Sequence, residues 1–348
     1  MKNIELSIII PCRNGSRWIP LICQSIFDSD IVSHVYEIIL VNDCSEDDSL
    51  QVMQEIAKGH NPVRVINLGQ HLFLGGGRNE GLRQAKGEYI WFVDVDDLVE
   101  STGVAAMLEY AKSNKLDVLG FEYHQIAYSG EYSKSVRVFA KYDSVLNGVE
   151  FAKTAFYGGI SLHLGYVWRF IYRRDYLLSR NLFFAEGVCW EDTVFMPAAI
   201  IKASRVGAFN CCLYKYRQNS NSISGTMHRI YPAQLIWEFA FVAGLELLDF
   251  ARTIADRKLK DELYNTAVNR YINGFYLFLL RTSIEERMLF YQMVSNNNAM
   301  VYNLRPVMNK RTVLLLTPFI GHTCVELLSC GYKVYLFLKN TLSACQAN

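Results

Sequence analysis

"EYIWFVDVDDLVE", Glu88 to Glu100, decides how the rest of the chain is read. Tyr89–Val93 is an unbroken run of aromatic and branched residues, which suits a buried strand. The run ends at once in Asp94, Asp96 and Asp97. Three carboxylates within four positions repel one another and demand water or a cation. An open α/β sheet binds its ligands at the carboxyl ends of its strands, so charge placed there marks a ligand edge.

Working outward, three more short apolar runs rich in branched residues precede this one: "LSIII" (Leu6–Ile10), "YEIILVN" (Tyr36–Asn42) and "VRVIN" (Val63–Asn67). Between the runs lie "SRWIPLICQSIF", "SEDDSLQVMQEIAK" and "GRNEGLRQAKG", whose apolar positions recur at helical spacing. Ser45 followed by Asp48 reads as a capped helix start. Strand–helix alternation with continuous apolar strands predicts an α/β fold: a Rossmann-like, mostly parallel sheet flanked by helices. After the aspartates, "DVLGFEYHQIAY" and "SVRVF" read as further strands around a polar turn at Ser129–Ser135. From Ile230 the pattern changes to long amphipathic helices, "QLIWEFAFVAGLELLDFARTIADRKL" and "DELYNTAVNRYINGFYLFLLR". The expected division is therefore a ligand-binding domain over 1–228 and a mainly helical region over 229–348.

Composition narrows the classes. With 348 residues, 51% of them hydrophobic and 20% charged, the chain has enough apolar surface to bury a full core. A formal net charge of +1 and the lack of a basic tract argue against nucleic acid as partner. Nine cysteines, an odd number, show no CxxC pair and no zinc-type spacing. A reduced, cytoplasmic setting is the reading that follows. The first apolar run is cut off by Pro11 and Arg13 and reads as a strand rather than a signal peptide. The apolar tail Thr312–Asn340 carries His322 and Glu326, which a membrane span would have to bury at high cost. It reads either as a packed helical hairpin or as a segment lying in a membrane interface.

Polar signals gather where the ligand edge is predicted. "IIPCRNGS" follows the first strand, "VNDCSEDDS" the second and "DVDD" the fourth, while "LGGGRNEG" leads into the third helix. DVDD supplies hard oxygen donors for Mg²⁺ or Mn²⁺, with Asp96 as the ligand, helped by Asp94 or Asp97; a solvated helix cap is the bland alternative. Gly75, Gly76 and Gly77 followed by Arg78 offer amides and a guanidinium to an anion, or simply a flexible turn into a helix. Asp43 ends its strand where an acid accepts hydrogen bonds from a base or ribose, or makes an Asx turn. Glu191 and Asp192 open an apolar helix, as general base or as partners of the helix dipole. Trp168, Arg173 and Arg217 are further candidates that packing or surface charge also explains.

Taken in order, "SIIIPCRNG", "EIILVNDCSEDDS", "GGGRNEGLRQAKGEYIWFVDVDD", "VWRFIYRRD", "EDTVF" and "YRQNSNSIS" resemble the family 2 inverting glycosyltransferases of the GT-A fold. The resemblance covers roughly residues 5 to 225. It implies that Pro11, Arg13, Asp43, Arg78, Asp94, Trp168 and Arg217 line a nucleotide-sugar donor site. It implies ribose and metal binding, by Mn²⁺ or Mg²⁺, in the Asp94–Asp97 region, with Asp96 and Asp97 for the metal. It also implies that Asp192, beside Glu191, is the catalytic base. The chain departs from the family at Asn42–Asp43, where two acids are common, and at Arg13, where an aromatic is common. On this reading the helical region serves a glycan or lipid-linked acceptor, an oligomer interface or peripheral membrane contact at the inner face of the cell membrane, in bacterial surface polysaccharide synthesis. Three other classes stand beside it. An NAD-dependent oxidoreductase would want GxGxxG immediately after the first strand, where this chain has "IIPCRNGS". A sugar nucleotidyltransferase would carry an N-terminal loop rich in Gly and Lys, where "PCRNGSRW" offers Arg13, Gly15 and Arg17. A non-catalytic nucleotide-sugar-binding module would keep the fold without Asp43, Asp96 and Asp192.

Overall fold

The computed structural model describes residues 3–137, 139, 144–157, 166–218 and 233–267. The four apolar runs form β1 (Leu6–Cys12), β2 (Tyr36–Asn42), β3 (Val63–Asn67) and β4 (Tyr89–Phe92). They pair in parallel in the order β3-β2-β1-β4. Every residue of β1 and β4 is buried, as a strand covered on both faces requires. The intervening helices are α1 (Ile19–Phe27), α2 (Ser49–Gly59) and α3 (Phe73–Gln84).

Beyond β4 the sheet becomes mixed. Its order continues β4-β8-β6-β9-β5, with β7 pairing the later part of β6, Tyr123–Ile126, beyond the stretch that pairs with β8, giving nine strands among the described residues. These are β5 (Leu98–Val99), β6 (Val118–Ile126), β7 (Tyr132–Val136), β8 (Phe170–Arg173) and β9 (Val206–Arg217). Strand β8 runs antiparallel to both β4 and β6, and β9 runs parallel to β6. The mostly parallel expectation thus describes the first half, and the second half is antiparallel around β8. Helices α4 (Val104–Ser113), α5 (Gly148–Tyr157), α6 (Arg174–Ser179) and α7 (Asp192–Ile201) complete this unit.

Asp30 starts α4 from outside the helix. Its carboxylate accepts the Gly103 and Ala105 backbone N–H groups at 2.6 and 3.0 Å, satisfying amides that a helix start leaves open. The core runs from Leu6, Ile8 and Ile10 of β1 through Trp91 of β4 to Met107 and Leu108 of α4. Trp91 donates its indole N–H to the Trp168 carbonyl at 2.8 Å, joining β4 to the chain entering β8. At the far end of the sheet Asp117, 3% exposed, ties three segments together. It accepts the Arg173 guanidinium and the Ser204 and Arg205 backbone N–H groups.

The chain divides into two compact units, Met1–Gly225 and Thr226–Asn348. In the second, α8 (Ala233–Arg252) ends four residues before another helix at 257–267. The helical run expected to continue through Leu259 is therefore broken at 253–256. No helix of the described residues is long and apolar enough to cross a membrane. Most of the second expected helix and all of Thr312–Asn340 lie outside the described residues.

Candidate active site

The loops after β1 and β2 are knitted to each other before any ligand is considered. Asn14 and Cys44 each take a left-handed backbone, φ 54°. Asn14 donates its N–H to Ser45 Oγ at 3.1 Å, and its side chain accepts the Glu46 N–H at 2.7 Å. Gly15 and Ser16 donate to Ser49 Oγ and Asp47 Oδ2 at 2.9 and 3.1 Å. Burial works against the Asp47 charge, yet the bonds from Ser49 and Ser16 hold its carboxyl below the usual range. The Ser45 hydroxyl therefore belongs to the β1 loop and does not cap α2, which begins at Ser49. Arg13 pairs with Glu46 at 3.0 Å on the surface.

Asp43, 3% exposed, lies at the end of β2. One carboxylate oxygen meets His71 Nδ1 at 2.8 Å and the other accepts the Leu72 N–H at 2.8 Å. Nothing in the sequence singled out His71, whose ring also stacks on Phe73 at 4.2 Å. Asp43 thus fixes the turn into α3.

The glycines of α3 correct the phosphate-cradle reading. Gly75, Gly76 and Gly77 lie within the helix, not in a loop before it, and all three are buried. A Cβ on Gly75 would overlap the Ala185 carbonyl oxygen, and one on Gly77 would come within 3.0 Å of Pro11 Cβ. One on Gly81 would overlap Ile9 Cγ2. The glycines let α3 lie close on β1, and so set the depth at which Arg78 sits.

Arg78 is 3% exposed and already bound. Its Nη2 pairs with Asp94 at 2.9 Å and its Nη1 with Glu191. Burial disfavours the charge, but Asp94 and Glu191 outweigh it and hold the guanidinium above its ordinary range. The guanidinium bridges the DVDD turn and the "ED" segment 113 positions away in sequence.

The three aspartates take different environments. Asp97 is 2% exposed. It accepts the Tyr214 hydroxyl at 2.8 Å and the Arg217 backbone N–H at 2.7 Å. Burial, with the charges of Asp96 and Asp94 beside it, pushes its carboxyl well up. That placement makes Asp97 an anchor of the turn rather than an outward-facing ligand. Asp94 donates its N–H to the Tyr214 hydroxyl at 3.1 Å, and Asp96 offers its carbonyl to Arg217 Nε at 3.0 Å. Tyr214, which sequence reasoning passed over, holds two aspartates at once. Arg217 clasps the turn through backbone groups, and Trp168 is buried in a ring stack with Tyr214 at 4.3 Å. The carboxylates of Asp94 and Asp96 are the half-buried ones.

Asp192 opens α7 and Glu191 stands at its N-cap, 7% exposed. The preceding loop is pinned to α3 by Asn79, a residue with no sequence signal of its own. Its amide donates to the Phe184 carbonyl at 2.9 Å and to Glu186 at 2.8 Å, and it accepts the Phe184 N–H at 2.9 Å. Trp190, at φ 64°, then turns the chain into α7 in a conformation that a bulky residue adopts at a cost.

Carboxylate oxygen is the right donor chemistry for Mg²⁺ or Mn²⁺, and Asp96 with Asp94 supplies it. Among the described residues, the group of three ligand atoms within 4.8 Å of one another lies elsewhere, at Glu5, His34 and Glu109. The turn therefore fits an ion held by one or two carboxylates plus oxygens of a bound phosphate, as Mg²⁺ sites commonly are.

A mixed sheet of this build, with acids gathered at the carboxyl ends of its parallel strands and a second acidic segment bridged onto them, is an α/β domain of the GT-A type. Residues 7–179 match the family model described as glycosyl transferase family 2. The chain is a member of that glycosyltransferase family. Among its relatives is EpsJ of Bacillus subtilis, an uncharacterized glycosyltransferase 33% identical over 220 residues, 63% of this chain and 62% of that protein. A cholesterol galactosyltransferase of Borreliella burgdorferi is 29% identical over 242 residues, 68% of this chain and 66% of that protein. The chain thus spans just under two thirds of the length of each. Among solved structures, residues 1–349 of S. aureus TarS in complex with UDP-GlcNAc superpose with a TM-score of 0.68 at 21% identity, covering 90% of this chain and 86% of that one. That likeness concerns the fold.

Proposed function

We propose that this chain is an inverting glycosyltransferase. It moves a sugar from a nucleoside-diphosphate sugar, UDP-linked, to a hydroxyl of a glycan or lipid-linked acceptor in bacterial surface polysaccharide synthesis. The observation that carries this reading is the bridge Asp94–Arg78–Glu191. It brings the residue after Glu191 to the strand edge where the aspartates stand, which supports reading a base and a diphosphate site in one place. UDP as the donor nucleotide is supported by the UDP-GlcNAc held by the TarS neighbour.

In the proposed reaction, Asp192 takes a proton from the acceptor hydroxyl. The oxygen attacks the anomeric carbon, and the bond to the diphosphate breaks with its electron pair leaving on the phosphate oxygen. One base on the side opposite the leaving group suffices for inversion. Asp43 with His71 contacts the base of the nucleotide from β2, and Asp94 the ribose. Pro11 and Arg13 border the same pocket. Asp96 would hold Mn²⁺ or Mg²⁺, and such an ion supplies positive charge to the departing diphosphate. Arg78 acts by fixing Glu191 and Asp94, while Asp97, Tyr214, Trp168 and Arg217 hold the turn. The donor chemistry is assigned to 1–228, and acceptor, oligomer or peripheral membrane contact to 229–348.

The test is a panel of nucleotide sugars assayed for hydrolysis and transfer with and without Mn²⁺, beside Asp192→Asn. The variant is expected to lose transfer and retain UDP binding by thermal shift. Near-normal turnover in Asp192→Asn would remove Asp192 from the base role. Stabilisation by CTP or NAD in place of UDP would remove the UDP donor.

A further inference from the structure

The end of β2 shows a ligand less carboxylate than its sequence promises. Asn42 and Asp43 are both 3% exposed. Asn42 is spent inside the fold: its amide donates to Asn67 Oδ1 at 2.7 Å, and its side-chain oxygen accepts the Ser45 N–H at 3.3 Å. Both oxygens of Asp43 are engaged as well, one by the Leu72 N–H and the other by His71 Nδ1. What Asp43 presents to the surface is the imidazole it holds, a side chain 27% exposed. Among the described residues, Nε2 of that ring makes no hydrogen bond.

The ring is held on two sides. Its Nδ1 edge is tied to Asp43, and one face stacks on Phe73 with the planes 29° apart. Phe73 reaches that position at φ 61°, in the left-handed region that a bulky residue adopts only at a cost. Strain of this kind persists where the surrounding structure holds it, and it gathers at ligand sites. A carboxylate oxygen only accepts hydrogen bonds, so the ring proton lies on Nδ1 and the neutral ring carries its lone pair on Nε2. Asp43 therefore sets the tautomer, and the strand end offers one fixed, uncharged acceptor. It does so at the carboxyl end of a parallel strand, in a loop tied to the loop after β1.

We propose that His71 reads the base of the donor nucleotide, its Nε2 accepting the N3–H of a uracil-type base. Asp43 is the positioning residue, acting through the imidazole. This deepens the nucleotide-sugar reading and rests on it. Uracil carries a hydrogen on N3, whereas cytosine has a lone pair there, so Nε2 attracts the first and repels the second. A bare carboxylate in the same place would make that choice by charge. The imidazole makes it by the position of one proton, so reversing the tautomer should reverse the choice.

The test uses the full chain in mildly alkaline buffer, where free imidazole is neutral, and isothermal titration with UDP, CDP and N3-methyl-UDP in the presence of Mn²⁺. Wild type should bind UDP about tenfold or more tighter than either of the others. His71→Phe keeps a ring to stack on Phe73 and should lose about tenfold for UDP while CDP stays where it was. In Asp43→Asn the amide oxygen can still take the Leu72 N–H, and its NH₂ then donates to Nδ1 and moves the ring proton to Nε2. UDP should weaken in that variant and CDP tighten. Because Asp43 is buried, long-range ¹⁵N–¹H NMR of the histidine rings gives a reading without it. The signal missing from His71→Phe should show Nδ1–H in the wild type and shift at Nε2 when UDP is added. The inference is overturned if that ring carries Nε2–H, if His71→Phe weakens UDP and CDP alike or leaves UDP unchanged, or if folded Asp43→Asn weakens CDP as well. While wild type binds UDP, each of those outcomes leaves the glycosyltransferase reading in place. Wild type that binds none of the three nucleotides removes the nucleotide-sugar reading, and the base contact falls with it.

Discussion

Replacing Arg78 by Met isolates what the buried bridge contributes. Met keeps much of the apolar stem and removes the charge, leaving Glu191, 7% exposed, without the cation that faces it. Breaking a buried pair by removing one partner costs about 3–5 kcal/mol, because a charge stays in the interior uncompensated. Asp94 adds less, since its side chain is 29% exposed and water can take over. For a unit of this size each kcal/mol lowers Tm by about 2–4 °C, so Arg78→Met should melt roughly 10 °C early. Glu191→Gln alone should cost about 1–2 kcal/mol, the difference between a charged and a neutral hydrogen bond. In the double variant no buried charge is stranded, so its cost should fall below the sum of the singles by about 2 kcal/mol. Urea unfolding followed by circular dichroism, with the slope checked for constancy, reads all three. A single Arg78→Met variant within about 1 kcal/mol of wild type, or costs that simply add, would refute the bridge as a structural element and return Arg78 to the ligand.

Gly75→Ala should destabilise by about 1–3 kcal/mol, since the added methyl meets the backbone of Ala185, which cannot swing aside. Gly59→Ala, whose methyl meets open space, is the matched control and should stay within about 0.5 kcal/mol in the same melt. Glu5 is held down to about 2, first by its bond to Lys112 and then by His34, although partial burial opposes this. A depressed carboxyl stabilises the fold above its unfolded value near 4.5 and loses that contribution as pH falls towards 2. Because the group is partly exposed, the contribution is about 1 kcal/mol, and Glu5→Gln should flatten the fall in urea midpoint between pH 5 and pH 3.

The parallel half of the fold was legible because a strand buried on both faces leaves an uninterrupted apolar run, and four such runs preceded the aspartates. Strands β8 and β9 were not. "FIYR" is only four residues long beside charged neighbours, and "VGAFNCCLYKYR" mixes buried and half-buried positions without alternation. Glycines misled for a definite reason: the same residue permits a phosphate-binding loop or a helix laid tightly on a strand. Gly77 and Gly81, one helical turn apart, both face β1, and that spacing was the available signal. The acids of the site stood out as charge at strand ends. What they pair with did not, because His71 and Tyr214 meet them only through the fold, as Asn79 meets the loop before α7.

The placement of β8 has a consequence for how the chain comes together. Residues 6–92 hold every strand of the parallel half, so that half has all its pairing partners once β4 has been made. The outer edge of β4 pairs with β8, which arrives only with Phe170–Arg173. During synthesis the most aromatic strand of the sheet therefore waits some eighty residues with its hydrogen-bonding edge unclaimed. A nascent chain halted before Phe170 presents that edge to whatever is nearby, and chaperone capture of the halted chain, lost once the stall point passes Arg173, is the measurable sign of it.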